Sequence, residues 1–125
     1  MKDIKVVIGA NYGDEGKGLM VDYFCNHSPY NKPILNVRFN GGSHAKHTVV
    51  IPDGRRHEFS HIGAGSFNEN VITYLSSFFL VNPFHFETEY KQLINKGLSL
   101  LNSVWQWLSN DSPIILVDCL ALKSL

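Results

Sequence analysis

The sequence predicts an α/β fold with a mostly parallel sheet, a strand–glycine loop–helix start and one β-hairpin insertion. The β-branched apolar run Lys5–Ile8 is typical of a strand buried on both faces of a sheet. The glycine-rich stretch Gly13–Gly18 follows, and apolar side chains then recur at helical spacing as far as Asn26. An Asp53-Gly54 pair between two more apolar runs favours a hairpin turn. Such an order of elements is typical of α/β domains.

The rest of the chain adds further strands and helices. The Pro33–Phe39 segment alternates as a partly covered strand does. Its one face carries Leu35, Val37 and Phe39, and its other face carries Asn36 and Arg38. The remaining elements predicted are hairpin strands at Thr48–Ile51 and Arg56–Phe59, a glycine-containing loop at Ser60–Gly65, strands at Val71–Leu75 and Pro113–Val117, a helix at Phe86–Lys96 and the end of a second helix at Ser103–Leu108. Gly97 is typical of a helix C-terminal cap.

Composition excludes two classes of partner. The 125 residues carry 11 Lys and Arg against 11 Asp and Glu, so the chain has no basic field with which to bind nucleic acid. No apolar run approaches the roughly 20 residues that a membrane-spanning helix needs. Because the first residues also lack the apolar core and cleavage site of a secretory signal, we expect a cytoplasmic protein.

Cysteines and most histidines give no sign of a metal site or a disulfide framework. Cys25 and Cys119 are far apart and lack the spacing of a redox or metal pair, so we expect two buried free thiols. Four histidines are dispersed without the ligand spacing of a zinc site, and we interpret them as surface or hairpin residues. They are His27, His57, His61 and His85.

The Gly13–Gly18 loop has the physical features of a phosphate-binding loop. A glycine-rich turn between a strand and a helix lets main-chain N–H groups converge on an anion, and Lys17 adds a full positive charge. This P-loop-like start departs from the Walker A pattern, because Gly18 stands where a Ser or Thr would follow the lysine. Since carboxylates repel phosphates, Asp14 is explained if it binds Mg²⁺ or removes a proton from the nucleophile. The alternative is an ordinary turn in which Asp14 and Glu15 favour the helix N-terminus electrostatically.

The Gly41–Thr48 segment is the second candidate loop. It also follows a strand, so both loops are expected at the carboxyl ends of their strands, where open α/β sheets bind ligands. The Gly41-Gly42 pair permits a close approach of the backbone, and His47 can donate a proton or a hydrogen bond to a phosphoryl oxygen. The alternative for His47, and more so for His44, is a surface or satisfied core residue.

Together the two loops resemble those of the adenylosuccinate synthetase family. That family has a Gly-Asp-Glu-Gly-Lys-Gly loop, matched throughout by Gly13–Gly18, and a Gly-Gly-x-x-Ala-Gly-His-Thr segment, which corresponds to Gly41–Thr48. Two positions depart from the second pattern: His44 replaces an Asn, and Lys46 replaces a Gly. The resemblance runs from Lys5 to about Val117, and family members are much longer. We therefore expect residues 1–125 to be a truncated N-terminal part of such a domain and to be inactive alone.

The resemblance implies a purine-biosynthesis ligase that joins L-aspartate to IMP, with GTP as co-substrate and Mg²⁺ as cofactor, and that forms a homodimer. It implies that Asp14 removes the N1 proton of the purine, that His47 acts as an acid on the phosphates and that Lys17 assists. Mg²⁺ would be held by Asp14 and by the main-chain oxygen of Lys46, where a requirement for positive φ would oppose a lysine. The implied nucleotide-binding residues are Gly13, Asp14, Glu15, Gly16, Lys17, Gly18, Leu19, Gly41, Gly42, His44, Ala45, Lys46, His47 and Thr48.

Three different functions stay open on the sequence. The first is that of the viral 2-aminoadenylosuccinate synthetases, to which Arg55–Gly65 and Thr73–Pro83 look closer. Those enzymes act on (d)GMP, and ATP or dATP can replace GTP in them. They generally carry a smaller residue at the position of Asp14, so Asp14 favours IMP. The second is an inactive nucleotide-binding fragment, and the third is an unrelated phosphate-binding α/β enzyme.

Overall fold

The computed structural model describes residues 3–11, 13–29 and 32–98, together with the backbone of residues 104–106. The predicted strand at Pro113–Val117 and the predicted thiol of Cys119 lie outside the described residues. The elements, in chain order, are α1 (Lys17–Asn26), β1 (Ile34–Arg38), β2 (Gly41–Gly42), β3 (His47–Val50), β4 (Arg56–Phe59), β5 (Val71–Leu75), β6 (Phe79–Leu80), α2 (Pro83–Asn95) and β7 (Val104–Gln106).

The strands confirm the predicted α/β class and its mostly parallel pairing. A three-stranded sheet has the order β1-β5-β7, and both of its pairings are parallel. β2 and β6 form a second, two-residue parallel pair. The antiparallel pair β3–β4 is the predicted hairpin insertion, and Gly54 occupies its turn with φ of 90°. The second candidate loop therefore leads directly from the carboxyl end of β1 into the hairpin.

The predicted first strand at Lys5–Ile8 is wrong for the described structure. No ladder of hydrogen bonds joins this segment to another strand among the described residues. Ile4, Val6 and Ile8 are 82%, 73% and 73% exposed. An apolar run forms a strand only where neighbouring chain pairs with it and covers its faces, and the described residues provide neither.

β1 forms as predicted, but its polar face is the buried one. Leu35 is 59% exposed and Val37 is 45% exposed, whereas Asn36 is 9% exposed. Asn36 Nδ2 donates a hydrogen bond to the main-chain oxygen of Ala64 at 2.7 Å. The cause is the partner: β1 packs against a loop that presents carbonyl oxygens, and such oxygens require donors rather than methyl groups.

Residues 104–106 are a strand, so the predicted helix end at Ser103–Leu108 is wrong at these positions. β7 pairs in parallel with β5, with Trp105 opposite Tyr74. A short apolar run does not by itself distinguish a strand from a helix, and here the free edge of β5 provides the partner that decides it.

Helix α2 begins earlier than predicted and has strong signals at both ends. The Asn82 side chain accepts a hydrogen bond from the main-chain N–H of His85, and Pro83 occupies the first helical position. At the other end, Gly97 adopts φ of 84°, and Leu98 N–H donates to the Leu93 oxygen at 3.1 Å. These are the features of a Schellman cap, which confirms the predicted role of Gly97.

The hydrophobic core lies between the hairpin, the segment 60–67 and α2. Its most buried members are Phe59, Ile62, Phe79 and Leu93, none of which is more than 1% exposed. Burial of a side chain of this size stabilises the fold by about 1.5–3 kcal/mol relative to its exposure. Neither α1 nor α2, the helices within the described residues, has the length and apolar character that a bilayer-spanning segment requires.

The predicted buried free thiol of Cys25 is confirmed. Cys25 is 5% exposed and unpaired, and burial raises its pKa to about 11. A Cβ at Gly65, where φ is 93°, would overlap the Cys25 side chain. Asn68 Nδ2 also donates to the main-chain oxygen of Cys25 at 3.0 Å. These contacts hold the end of α1 against Gly65 and Asn68.

A buried carboxylate lies between two histidines that were predicted to be surface or hairpin residues; His57 is in the hairpin strand β4, as predicted, whereas His61 is neither on the surface nor in the hairpin. Both histidines are buried, at 3% and 0% exposure, and they flank Glu89 of α2, which is 4% exposed. Glu89 Oε1 accepts from the Ser60 N–H at 2.8 Å, and its Oε2 accepts from the Ser60 hydroxyl at 2.6 Å and the His61 N–H at 2.8 Å. Dispersed sequence positions gave no sign of this cluster, because α2 brings Glu89 to it from 28 residues away.

The Glu89 cluster has a defined arrangement of protons. Asn82 N–H donates to His61 Nε2 at 3.1 Å, so the neutral ring carries its proton on Nδ1, which lies 3.3 Å from Glu89 Oε2. His57 Nε2 is 3.7 Å from Oε1, which is too far for a hydrogen bond. Burial alone would raise the pKa of Glu89, but the donors around it outweigh burial and hold that pKa well below its usual range.

Replacing Glu89 by glutamine is expected to lower the free energy of unfolding by about 3 kcal/mol, because the new amide cannot accept all the bonds from Ser60 and His61. The measurement is urea unfolding followed by circular dichroism. Since the charged form favours the folded state, the loss should be full above pH 4.5, the usual pKa, and should shrink as pH falls below it.

Glu87→Gln is the matched control on the same helix. Glu87 is paired with Lys91 at 2.6 Å on the exposed face of α2, and such a pair contributes less than about 0.5 kcal/mol. Equal losses in the two variants would contradict the structural role assigned to Glu89.

Candidate functional site

Both candidate loops line one cavity of about 610 Å³. The two loops therefore converge as expected, although only the second follows the carboxyl end of a strand in the described structure. The residues predicted to bind nucleotide that lie in its wall are Gly13, Asp14, Glu15, Gly16, Lys17, Gly18, Gly41, His44, Ala45, Lys46 and His47. The predicted residues Leu19, Gly42 and Thr48 lie outside this wall. The wall also contains Phe59, Ile62, Gly63 and Ala64, which the sequence had not marked as part of a site.

The first loop reaches α1 through a series of left-handed residues. Gly13, Asp14 and Gly16 have φ values of 126°, 51° and 79°. Asp14 is the one non-glycine residue with positive φ among those described, and this strained region is where side chains at functional sites are often found. Gly16 caps α1 without any side-chain hydrogen bond. The first turn of α1 therefore begins without a side-chain cap, and its residues Lys17 and Gly18 line the cavity.

Glu15 turns back over the first loop instead of capping the helix. Its carboxylate forms an ion pair with Lys17 and accepts from the main-chain N–H of Asn11. The Lys17 hydrogen bond, followed by that from Asn11, lowers the pKa of Glu15. The charged ends of both side chains lie directly over Gly9, in the space that a Cβ would occupy there. Glu15 thus neutralises the charge of Lys17.

The second loop is a compact turn that accommodates Lys46. Ala45 N–H donates to the Gly42 oxygen at 3.2 Å, and Lys46 N–H donates to the His44 oxygen at 3.0 Å. Lys46 does not have positive φ, so the anticipated conflict between a lysine and a left-handed backbone does not arise. Its ammonium group extends away to the hairpin and pairs with Glu58 at 2.7 Å. Of the groups at position 46, only the main-chain oxygen was implied as a ligand of Mg²⁺, and the position of the side chain does not affect that role.

His47 lies directly against the first turn of α1. Its ring packs on Gly18, where any Cβ would overlap the imidazole. The Nε2 atom is buried and has no hydrogen-bond partner among the described residues. Burial is the main influence that lowers the pKa of His47, with Arg38 acting in the same direction and Asp22 opposing it. The unsatisfied ring nitrogen therefore belongs to a neutral imidazole at pH 7, placed at the cavity.

Arg38 is a cavity residue that sequence reasoning missed. It is the last residue of β1, and it lines the cavity together with residues of both loops. Burial lowers its pKa, and the charge of Glu89 opposes that shift. The signal that would have found it is its position, because a charged residue at the carboxyl end of a parallel strand lies where α/β sheets bind ligands.

The donor set fits a magnesium ion held partly by phosphate. No group of three or more His, Cys, Asp or Glu side chains that could hold a metal occurs among the described residues. Mg²⁺ commonly binds through one or two carboxylates together with phosphate oxygens and water. Asp14 and Lys46 line the same cavity, and the carboxylate of the one and the main-chain oxygen of the other are oxygen ligands of this kind.

Comparison with known proteins identifies one family. The family model for adenylosuccinate synthetase matches residues 6–118. Adenylosuccinate synthetase 1 of Methanosarcina acetivorans is 39% identical over 99 residues, which are 79% of this chain and 22% of that protein. The adenylosuccinate synthetase of Proteus mirabilis is 34% identical over 124 residues, which are 99% of this chain and 27% of that protein.

A solved structure shows the same arrangement of elements. The fully ligated adenylosuccinate synthetase from Plasmodium falciparum superposes with a TM-score of 0.61 at 26% identity, over 78% of this chain and 21% of that one. The chain therefore spans roughly a fifth to a quarter of the length of the relatives that it matches.

Gly18→Ala tests the contact between α1 and His47. In an ordinary helix this change gains up to about 1 kcal/mol of helix propensity. Here we expect a loss of about 1–3 kcal/mol, because the new methyl group overlaps the imidazole and displaces it. Urea unfolding gives the stability, and the NMR signal of the His47 ring reports the displacement.

Leu19→Ala is the control, since Leu19 is the next residue and its side chain is 63% exposed. It should change the stability little and leave the His47 signal in place. A stabilised Gly18→Ala variant would show that the close packing of His47 on α1 is incorrect.

Proposed function

The chain belongs to the adenylosuccinate synthetase family, and we propose that it supplies the phosphate-handling part of a purine-biosynthesis ligase that joins L-aspartate to IMP with GTP. The observation that carries the proposal is the convergence of Asp14, Lys17 and His47 on one cavity, beside an uncapped helix N-terminus. A base, an acid, a cation and main-chain N–H donors are the groups that a phosphoryl transfer needs.

Asp14 is proposed as the base. It is exposed in the cavity wall, where its carboxylate can approach the N1 proton of a purine. Removal of this proton makes the 6-oxygen nucleophilic toward the γ-phosphate of GTP, and the amine of aspartate then displaces the phosphate at C6. A carboxylate at this position favours hypoxanthine over guanine, since the guanine 2-amino group needs room beside N1. We therefore prefer IMP to (d)GMP as the substrate.

Lys17 and the start of α1 are proposed to receive the phosphates of GTP. An incoming phosphate competes with Glu15 for Lys17, so binding exchanges one ion pair for another instead of leaving a bare ammonium group. The N–H groups behind Gly16 add donors and the partial positive charge of the helix.

His47 is proposed to act on the phosphate oxygens. Its buried Nε2 lacks a partner in the described residues, and a phosphate oxygen in the cavity would supply one. The neutral ring gains affinity for a proton when a negative charge arrives, because a nearby anion stabilises the imidazolium form. Binding of the phosphate would therefore favour protonation of His47.

Asp14 and the main-chain oxygen of Lys46 are the residues proposed to hold Mg²⁺. When bound, Mg²⁺ neutralises charge on the phosphate oxygens. The side chain of Lys46 takes no part in this, since it is paired with Glu58 outside the cavity.

The first test is binding of Mg·GTP to the 125-residue chain by isothermal titration calorimetry. We expect binding without formation of adenylosuccinate, because the chain spans only part of its relatives. Lys17→Met should weaken binding about tenfold or more, since it removes a charge-assisted contact. Lys91→Met removes an equal charge from the exposed face of α2 and should have no effect. Failure of the unaltered chain to bind Mg·GTP would overturn the proposal.

The second test examines Asp14 in a working enzyme. A chimaera is made in which residues 1–118 of this chain replace the matching segment of the Proteus mirabilis relative. Formation of adenylosuccinate is followed by its absorbance. In an active chimaera, Asp14→Asn should lower kcat by roughly a hundredfold or more, as expected for loss of a general base. Asp53→Asn, in the hairpin turn, is the control. Unchanged activity in the Asp14 variant would contradict its assignment as the base.

A further inference from the structure

Arg38 carries a positive charge that no acidic side chain neutralises directly. Within the described part of the chain, it forms no ion pair with a carboxylate. Its guanidinium carbon lies 4.6 Å from the centroid of the Phe79 ring, which fixes the plane of the group. A half-buried arginine that forms no ion pair must find its partners among neutral oxygens.

Two different loops provide these oxygens. One amino group of Arg38 donates to the main-chain oxygen of Ser60. The other donates to the main-chain oxygen of Ala45 at 3.4 Å. A planar guanidinium can reach two acceptors at once with little loss of side-chain freedom, and an ammonium group on a flexible stem cannot match that geometry.

The Ser60 end of this bridge is firmly held. Its N–H and hydroxyl both donate to Glu89, at 2.8 and 2.6 Å, and the N–H of His61 donates to the same carboxylate. The Ala45 end belongs to the turn that precedes His47, which is held by two main-chain hydrogen bonds of 3.0 and 3.2 Å and by the exposed Lys46–Glu58 ion pair. Arg38 therefore connects a buried anchor to the turn that precedes His47.

We propose that Arg38 is a positioning residue that holds the Gly41–Thr48 segment on the Ser60–Glu89 anchor, and thereby sets the place of His47 and of the main-chain oxygen of Lys46 at the cavity. The inference rests on the proposed function only in so far as that cavity receives phosphate. The mechanical claim, that Arg38 orders this segment, is independent of the ligand.

The experiment measures native-state hydrogen exchange by NMR and Mg·GTP affinity by calorimetry on the 125-residue chain. Arg38→Met removes both hydrogen bonds. It should speed exchange of the Ala45 and Lys46 amides at least about tenfold and weaken Mg·GTP binding by a similar factor. Amides of β5 should keep their protection, since a general loss of stability would affect them as well. Arg56→Met, on the exposed side of β4, is the matched control and should change neither quantity.

Arg38→Lys separates the effect of the positive charge from that of the two hydrogen bonds. It also provides the test if the Arg38→Met variant does not fold. It keeps the charge but reaches only one carbonyl oxygen, so exchange at Ala45 and Lys46 should still accelerate. Wild-type exchange at these amides in a folded Arg38 variant would overturn the inference, as would full rescue of exchange by lysine. If the unaltered chain fails to bind Mg·GTP, the proposed function falls, and the exchange data still decide the role of Arg38.

Discussion

The Glu89 carboxylate is buried, and its two oxygens accept hydrogen bonds from the main chain and side chains of Ser60 and His61. This interaction allows a segment without regular secondary structure to lie in the interior. Buried main-chain groups must be satisfied, and a loop has no ladder with which to satisfy them. The main-chain oxygens of Ser60 and Ala64 in this segment accept hydrogen bonds from Arg38 and Asn36 of β1. The polar face of that strand is buried for this reason.

A second constraint relates helix α1 to the Gly41–Thr48 segment. The absence of a side chain at Gly18 brings the His47 ring against the backbone of α1, so the distance between the two loops is set by a hard steric contact. A Walker-type Ser or Thr at this position would exclude the histidine. The departure from the Walker pattern therefore shapes this cavity: a position that binds metal through a hydroxyl in P-loop enzymes instead makes room for an imidazole.

The sequence allowed the class of fold, the hairpin and the cap at Gly97 to be predicted, because each depends on local signals. The convergence of the two glycine loops was also predicted, although the first of the two strands from which it was inferred does not form among the described residues. It did not allow the environment of His57 and His61 to be predicted, since their partner Glu89 arrives from a separate helix. Arg38 was missed because its partners are main-chain oxygens of distant residues. Every residue has such an oxygen, so the sequence does not show which ones Arg38 contacts. The faces of β1 were misjudged because alternation shows that two faces differ without showing which neighbour each one meets.

The exposed apolar side of β1 has a consequence for the physical behaviour of the isolated chain. Leu35 and Val37 of β1, and Phe39 directly after it, are all more than two fifths exposed, and β1 is the outermost strand of the described sheet. An edge strand with such a surface is a template for pairing with other molecules. A formal charge of zero adds little electrostatic repulsion between copies. Colloidal stability, more than folding stability, will therefore set the concentration at which this chain can be handled, and added acidic residues on this strand would raise that concentration.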